Sequence, residues 1–147
     1  VISQTVLVVA GPFGNALGAR DVARAIGRGL VAAGLPTPDL CPLDEDSHGE
    51  HLEQVRARLD ALDFDARMRR ARAVVVAAER LQERMLATSV SFEVATRARQ
   101  GGVPAYAVTG EDALEPFDAR ILDLQVILQA RSARALVAAG RKLAQLI

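Results

Sequence analysis

Apolar residues come in short blocks along this chain, and the spacing within each block indicates an element. Thr5-Val6-Leu7-Val8-Val9-Ala10 is a continuous β-branched and aliphatic run, the pattern of a strand buried on both faces. Residues 11–18 then form a loop on glycine and proline chemistry. From Arg20 the apolar positions Val22, Ala23, Ile26, Leu30 and Ala33 recur at helical spacing, and Gly34 supplies a stop. A short strand over 38–43, a polar loop over 44–49 and a helix carrying Leu52, Val55, Leu59 and Leu62 follow. The second half repeats the alternation. It predicts strands at 71–77, 103–109 and 124–128, and helices at 90–100, 116–122 and 132–147, with Gly101-Gly102 ending the first of these helices. Five strands alternating with helices predict a single α/β domain, a doubly wound, mostly parallel five-stranded Rossmann-like sheet.

Composition narrows what such a domain can do. At 147 residues the chain is long enough for one core. Half of its residues are hydrophobic, yet none of the runs approaches the ~18 apolar residues of a membrane span, so no membrane partner is expected. The opening Val1-Ile2-Ser3-Gln4 puts no basic segment ahead of the first apolar run, the wrong order for a secretory leader, and a cytoplasmic location is expected. Eighteen basic residues balance eighteen acidic ones, which argues against nucleic acid held by bulk charge. Lys142 is the only lysine and falls in the last predicted helix, so no lysine is available to an early glycine-rich loop. Cys41 stands alone, which excludes an internal disulfide and a cysteine metal cluster.

In doubly wound sheets ligands bind beyond the carboxyl ends of the strands, where strand order reverses. With order 2-1-3-4-5 that crevice lies between the first and third strands, walled by residues 11–18 and 77–89. Gly11, Gly14 and Gly18, with Asn15 between them, offer backbone amides ahead of a helix N-terminus, which favours an anion. Their spacing is neither GxGxxG nor GxxxxGK[ST], and the same glycines suit a strand-to-helix turn that merely needs them. Asp44, Glu45, Asp46, His48, Glu50 and His51 form an acidic loop whose spacing matches no metal motif, so no metal is assigned.

Four stretches in order resemble bacterial glycerate kinases. Val6-Leu7-Val8-Val9 through Arg24-Ala25-Ile26 is similar to their VLVAPDSFKGSLSAxEVAxAI, and Pro42-Leu43 through Glu50 to their PLADGGEGT. Residues 61–68 and 71–76 resemble GFDARLAGADLVVTGEGRLD, and the segments 95–98, 102–104 and 107–110 resemble GVARxAxxxGVPVVALAG. The resemblance implies a kinase domain shortened by its large insertion, with its polar site positions replaced: the first-loop lysine falls on Gly14, and Gly-Glu-Gly of the third stretch on Ala77-Ala78-Glu79. It implies a degenerate domain that binds a small anion or nucleotide, or a protein, with no catalytic residue assigned. The alternative is an active or split kinase using ATP and Mg2+ on glycerate. Arg80 is the surviving side chain suited to phosphate, or else a surface arginine paired with Glu79 or Glu83. The wide apolar arc of the last helix (Ala135, Leu136, Ala139, Leu143, Leu146, Ile147) further predicts a homodimer or another protein partner.

Overall fold

The structure, a computed structural model, describes residues 5–43, 52–82 and 90–147. The acidic loop at 44–51 and residues 83–89, with Glu83, lie outside the described residues. Five parallel strands form one sheet in the order β2-β1-β3-β4-β5, as the alternation predicts. They are β1 (Val6–Ala10), β2 (Asp39–Pro42), β3 (Ala73–Gln82), β4 (Ala105–Ala113) and β5 (Leu124–Gln129).

Among the described residues six helices accompany them: α1 (Ala19–Ala32), α2 (Leu52–Ala61), α3 (Phe64–Arg70), α4 (Val90–Gln100), α5 (Pro116–Leu122) and α6 (Ala133–Leu146). The sheet divides the apolar interior into two layers. On one side Val6, Val8 and Ala10 pack with Ile26 and Leu30 of α1 and Leu136 and Leu143 of α6. On the other, Leu7 and Val9 pack with Val55 and Leu59 of α2, Phe64 and Met68 of α3, and Val94 of α4. Successive side chains of β1 therefore feed opposite layers, the reason its sequence has no polar position.

Three features depart from the sequence pattern. The helical reading from Leu52 to Leu62 misses a second helix: Asp63 takes a left-handed conformation (φ 56°), and α3 restarts at buried Phe64. Strand β3 runs five residues past its apolar block, because Arg80, Leu81 and Gln82 pair with Glu111, Asp112 and Ala113 of an equally extended β4. The apolar arc of α6, read above as a surface, is mostly spent inside the molecule. Leu136, Ala139 and Leu143 are buried, and Gly140 lies against Gly29 of α1 with nearly touching backbones. A Cβ on Gly29 would lie 2.7 Å from the Arg141 nitrogen and 2.9 Å from the Gly140 Cα, and would collide with the Val137 carbonyl. Glycine at both positions is thus a packing requirement.

Candidate functional site

The point where strand order reverses falls between β1 and β3, and the loop that leaves β1 there is held at both ends. The Gly11 amide donates to the Ala77 carbonyl of β3 at 3.0 Å. Phe13 is buried, and its amide donates to the Leu17 carbonyl at 2.8 Å, closing a tight turn. Gly14 supplies the positive φ (64°) this turn needs. Gly14, Asn15 and Ala16 stand exposed at its tip, and Gly18 begins α1.

The start of α1 differs from that of α6. Ser132 caps α6 by accepting from the Ala135 amide, whereas Gly18 gives α1 no side-chain cap. Gly18 has φ −69° and ψ 162°, an extended conformation open to any residue. A Cβ there would come no nearer than 3.8 Å to Asp21 Oδ2, and one on Gly11 no nearer than 4.0 Å to the Ala77 carbonyl. Among the described residues nothing approaches either position closely enough to require glycine, and neither has a positive φ. Glycine at both leaves the loop backbone without a side chain.

Four of the five residues singled out from sequence, Gly11, Gly14, Asn15 and Gly18, share this loop. Arg80 does not join them. Side chains alternate along β3, so Ala77 and Glu79 face the α1 and α6 side while Arg80 faces the other. Arg80 pairs instead with Glu111 at 3.4 Å, with both side chains half-exposed, a contact of little energetic weight. The side chain brought to the loop is Glu79, whose Oε1 lies 3.6 Å from where a Gly14 Cβ would be. Extending the strand alternation two residues beyond Ala77 is the signal that finds it. Beside it, Gly110 permits close approach of β4, since a Cβ there would lie 2.8 Å from the Glu79 carbonyl. Buried Thr109, midway along β4, donates to the Glu111 carbonyl at 2.9 Å.

A second concavity, about 230 Å3, lies at the amino ends of the strands and is lined by Thr5, Asp39, Arg67, Arg70 and Ala71. Arg67 is held there by Asp39, with bonds of 2.7 and 2.9 Å, and by the Leu40 carbonyl at 3.0 Å. The Asp39 bond raises the Arg67 pKa further, so this arginine is a fixed cation tying β2 to α3. Among the described residues no three His, Cys, Asp or Glu side chains are grouped as a metal site, and no helix is long and apolar enough to cross a membrane.

No family model matches the chain, and none of the curated proteins does. The resemblance to glycerate kinases is corrected accordingly, and the ATP and Mg2+ it implied go with it. The geometry gives the physical reason. Ala77-Ala78-Glu79, which falls on the kinases' Gly-Glu-Gly, is continuous paired strand and makes no turn. The short matches coincide with the strand and helix blocks that any doubly wound sheet carries. Among solved structures, the chain is similar to an NAD(P)H:quinone oxidoreductase from Methanothermobacter marburgensis, at 14% identity and a TM-score of 0.49, over 97% of this chain and 98% of that one.

Proposed function

We propose that the chain is a nucleotide-binding domain that takes a phosphate ester with neighbouring hydroxyls, of the mononucleotide class, in the crevice between β1 and β3. The observation that carries this reading is the backbone without side chains at Gly11 and Gly18, where neither φ nor packing against the described residues asks for glycine. The uncapped first turn of α1 suits the phosphate, through its amides and the positive end of the helix dipole. Asn15 at the loop tip offers an amide to the same group. Glu79, which has no ion pair among the described residues, accepts from a hydroxyl or ring N–H beside the phosphate. Asp21 also lies near the loop, and the hydroxyls of an ester can donate to these carboxylates where inorganic phosphate has no sugar to do so, which favours the ester over the free ion.

Flavin mononucleotide fits the class, since sheets of this strand order hold it at this switch point. Bound there, its ring would supply the redox chemistry. The chain's own residues bind, orient and exclude.

Calorimetric titration with flavin mononucleotide, adenosine monophosphate and inorganic phosphate tests the reading. A mononucleotide is expected to bind at least about tenfold more tightly than inorganic phosphate, a difference of ~1.4 kcal/mol. Gly18→Asp is the informative variant, because aspartate is a good helix cap and also places a carboxylate where the phosphate would lie. It is expected to hold or raise the unfolding midpoint while weakening the mononucleotide at least about tenfold. Equal binding of all three ligands, or unchanged affinity in the variant, overturns the proposal.

A further inference from the structure

Among the described residues, strand β5 has a neighbour on one side only. The chain from 123 to 131 reads Asp-Leu-Gln-Val-Ile-Leu-Gln-Ala-Arg. Nothing in Leu124–Gln129 is charged, and it holds neither proline nor glycine, so it lacks the side chains that usually keep an edge from pairing. The opposite edge is built otherwise: β2 is four residues long, ends in Pro42, and has Asp39 locked to Arg67. The irregularity of β5 is a bulge between its pairings Ala105 with Leu124 and Ala107 with Ile127, after which Ile127, Leu128 and Gln129 follow β4 in regular register. The Ala130 amide donates inward to the Thr109 carbonyl, so alternation turns the Gln129 and Ile127 backbone groups outward. Nearby α5 leaves Phe117 65% exposed and Ile121 43% exposed, one helical turn apart on the same face.

The residue types around Ile127 read nearly the same in either direction, with charge reversed at the ends. An antiparallel copy centred on Ile127 sets Gln125 beside Gln129, Val126 beside Leu128, and Asp123 beside the partner's Arg131, twice. The bulge displaces that half by one residue, within reach of an arginine side chain. Arg131 spends its Nε on the Gly110 carbonyl (2.8 Å), which leaves its two terminal nitrogens for a carboxylate. Asp123 is exposed at the end of α5. This self-complementarity of charge is what a two-fold, isologous contact requires.

We propose that β5 is the interface of a homodimer, pairing antiparallel with a second copy about Ile127 so that two five-stranded sheets become one. The proposal is independent of the ligand site, which lies at the carboxyl ends of the strands.

Sedimentation velocity across about 1 to 200 µM is expected to show a concentration-dependent monomer–dimer equilibrium, the class to which a small strand-to-strand interface belongs. The Ile127 and Gln129 amides should exchange with solvent more slowly as concentration rises, a measurement that needs no variant. Ile127→Lys is expected to be monomeric with an unchanged far-ultraviolet spectrum. Asp123→Lys and Arg131→Glu should each weaken the dimer at least about tenfold, ~1.4 kcal/mol by the usual conversion, and their combination should restore it. A strict monomer at the highest concentration overturns the proposal. So does a dimer in which β5 exchange is concentration-independent, or one indifferent to Ile127→Lys and to the charge reversals.

Discussion

Cys41 shows at a single residue how burial sets chemistry. It lies in β2, 2% exposed, and burial pushes its thiol pKa up, with the nearby Arg67 cation only partly opposing the shift. A raised thiol pKa means that the native state holds its proton where the unfolded chain has released it. The associated stability is fully present below the unfolded pKa of about 8.5, and is lost as pH rises through the higher folded value. Urea unfolding at pH 7 and pH 10 should therefore show a loss for the wild type that is smaller in Cys41→Ala; an identical loss in both would refute the assignment. The sequence shows Cys41 to be alone and, beside Pro42 at a strand end, suited to core packing, but not its pKa, which depends on chain remote in sequence. Glu79 was hidden for a related reason. Its charge ends the apolar block of β3, and only the pairing with β4 shows that the strand goes on and which face the carboxylate takes.

Among the elements, two contacts carry consequences that periodicity alone could not reveal. The first is the crossing of α1 on α6. Helical spacing finds both helices, but it cannot distinguish a glycine that merely occurs in a helix from one that lets two backbones meet. Gly29→Ala and Gly140→Ala each gain helix propensity of about 1 kcal/mol, yet both force a Cβ into the facing backbone. A net loss of about 2–3 kcal/mol is expected from denaturant titration, since overpacked backbone contacts cannot relax by rotamer change. Gly18→Ala is the control, since its Cβ meets only an ordinary contact at 3.8 Å, and the loss expected is that of a weaker helix cap alone. The second contact is Arg97, which joins α4 to α2 through Asp60 at 2.9 Å and to α3 through Asp65 at 3.2 Å, and also bonds Glu93 of its own helix at 3.2 Å. Burial pulls the Arg97 pKa down, but hydrogen bonds to Asp60 and Glu93 outweigh it. Glu93 is 6% exposed, so Arg97→Ala strips a buried carboxylate of a partner and leaves it Arg56 alone. A loss of about 2–4 kcal/mol is expected, against under about 1 kcal/mol for Asp60→Ala at the exposed rim; equal losses would contradict the account.

At the scale of the whole molecule, β1 makes the two layers one cooperative unit, because its side chains alternate between them. Each layer contains a natural reporter. Tyr106 sits in the α1 and α6 layer and Cys41 in the other. Tyrosine fluorescence and thiol labelling are expected to give the same urea midpoint, and separated midpoints would show that one layer melts alone. The interior place of β1 was legible because its run is apolar on both faces, whereas the full order was assumed from the doubly wound class. The crevice proposed for the ligand follows from that order alone. The class of ligand is not announced by the sequence, as the proposed loop offers backbone and few side chains. The Gly29–Gly140 contact, finally, bears on how the chain is made. Helix α1, which ends at Ala32, leaves the ribosome well before α6, the helix that covers it, which begins at Ala133. Until α6 has emerged the apolar stripe of α1 has no native cover, so nascent chains that stop short of Ser132 should remain open to proteases and attractive to chaperones. Emergence of α6 is the step that covers that stripe.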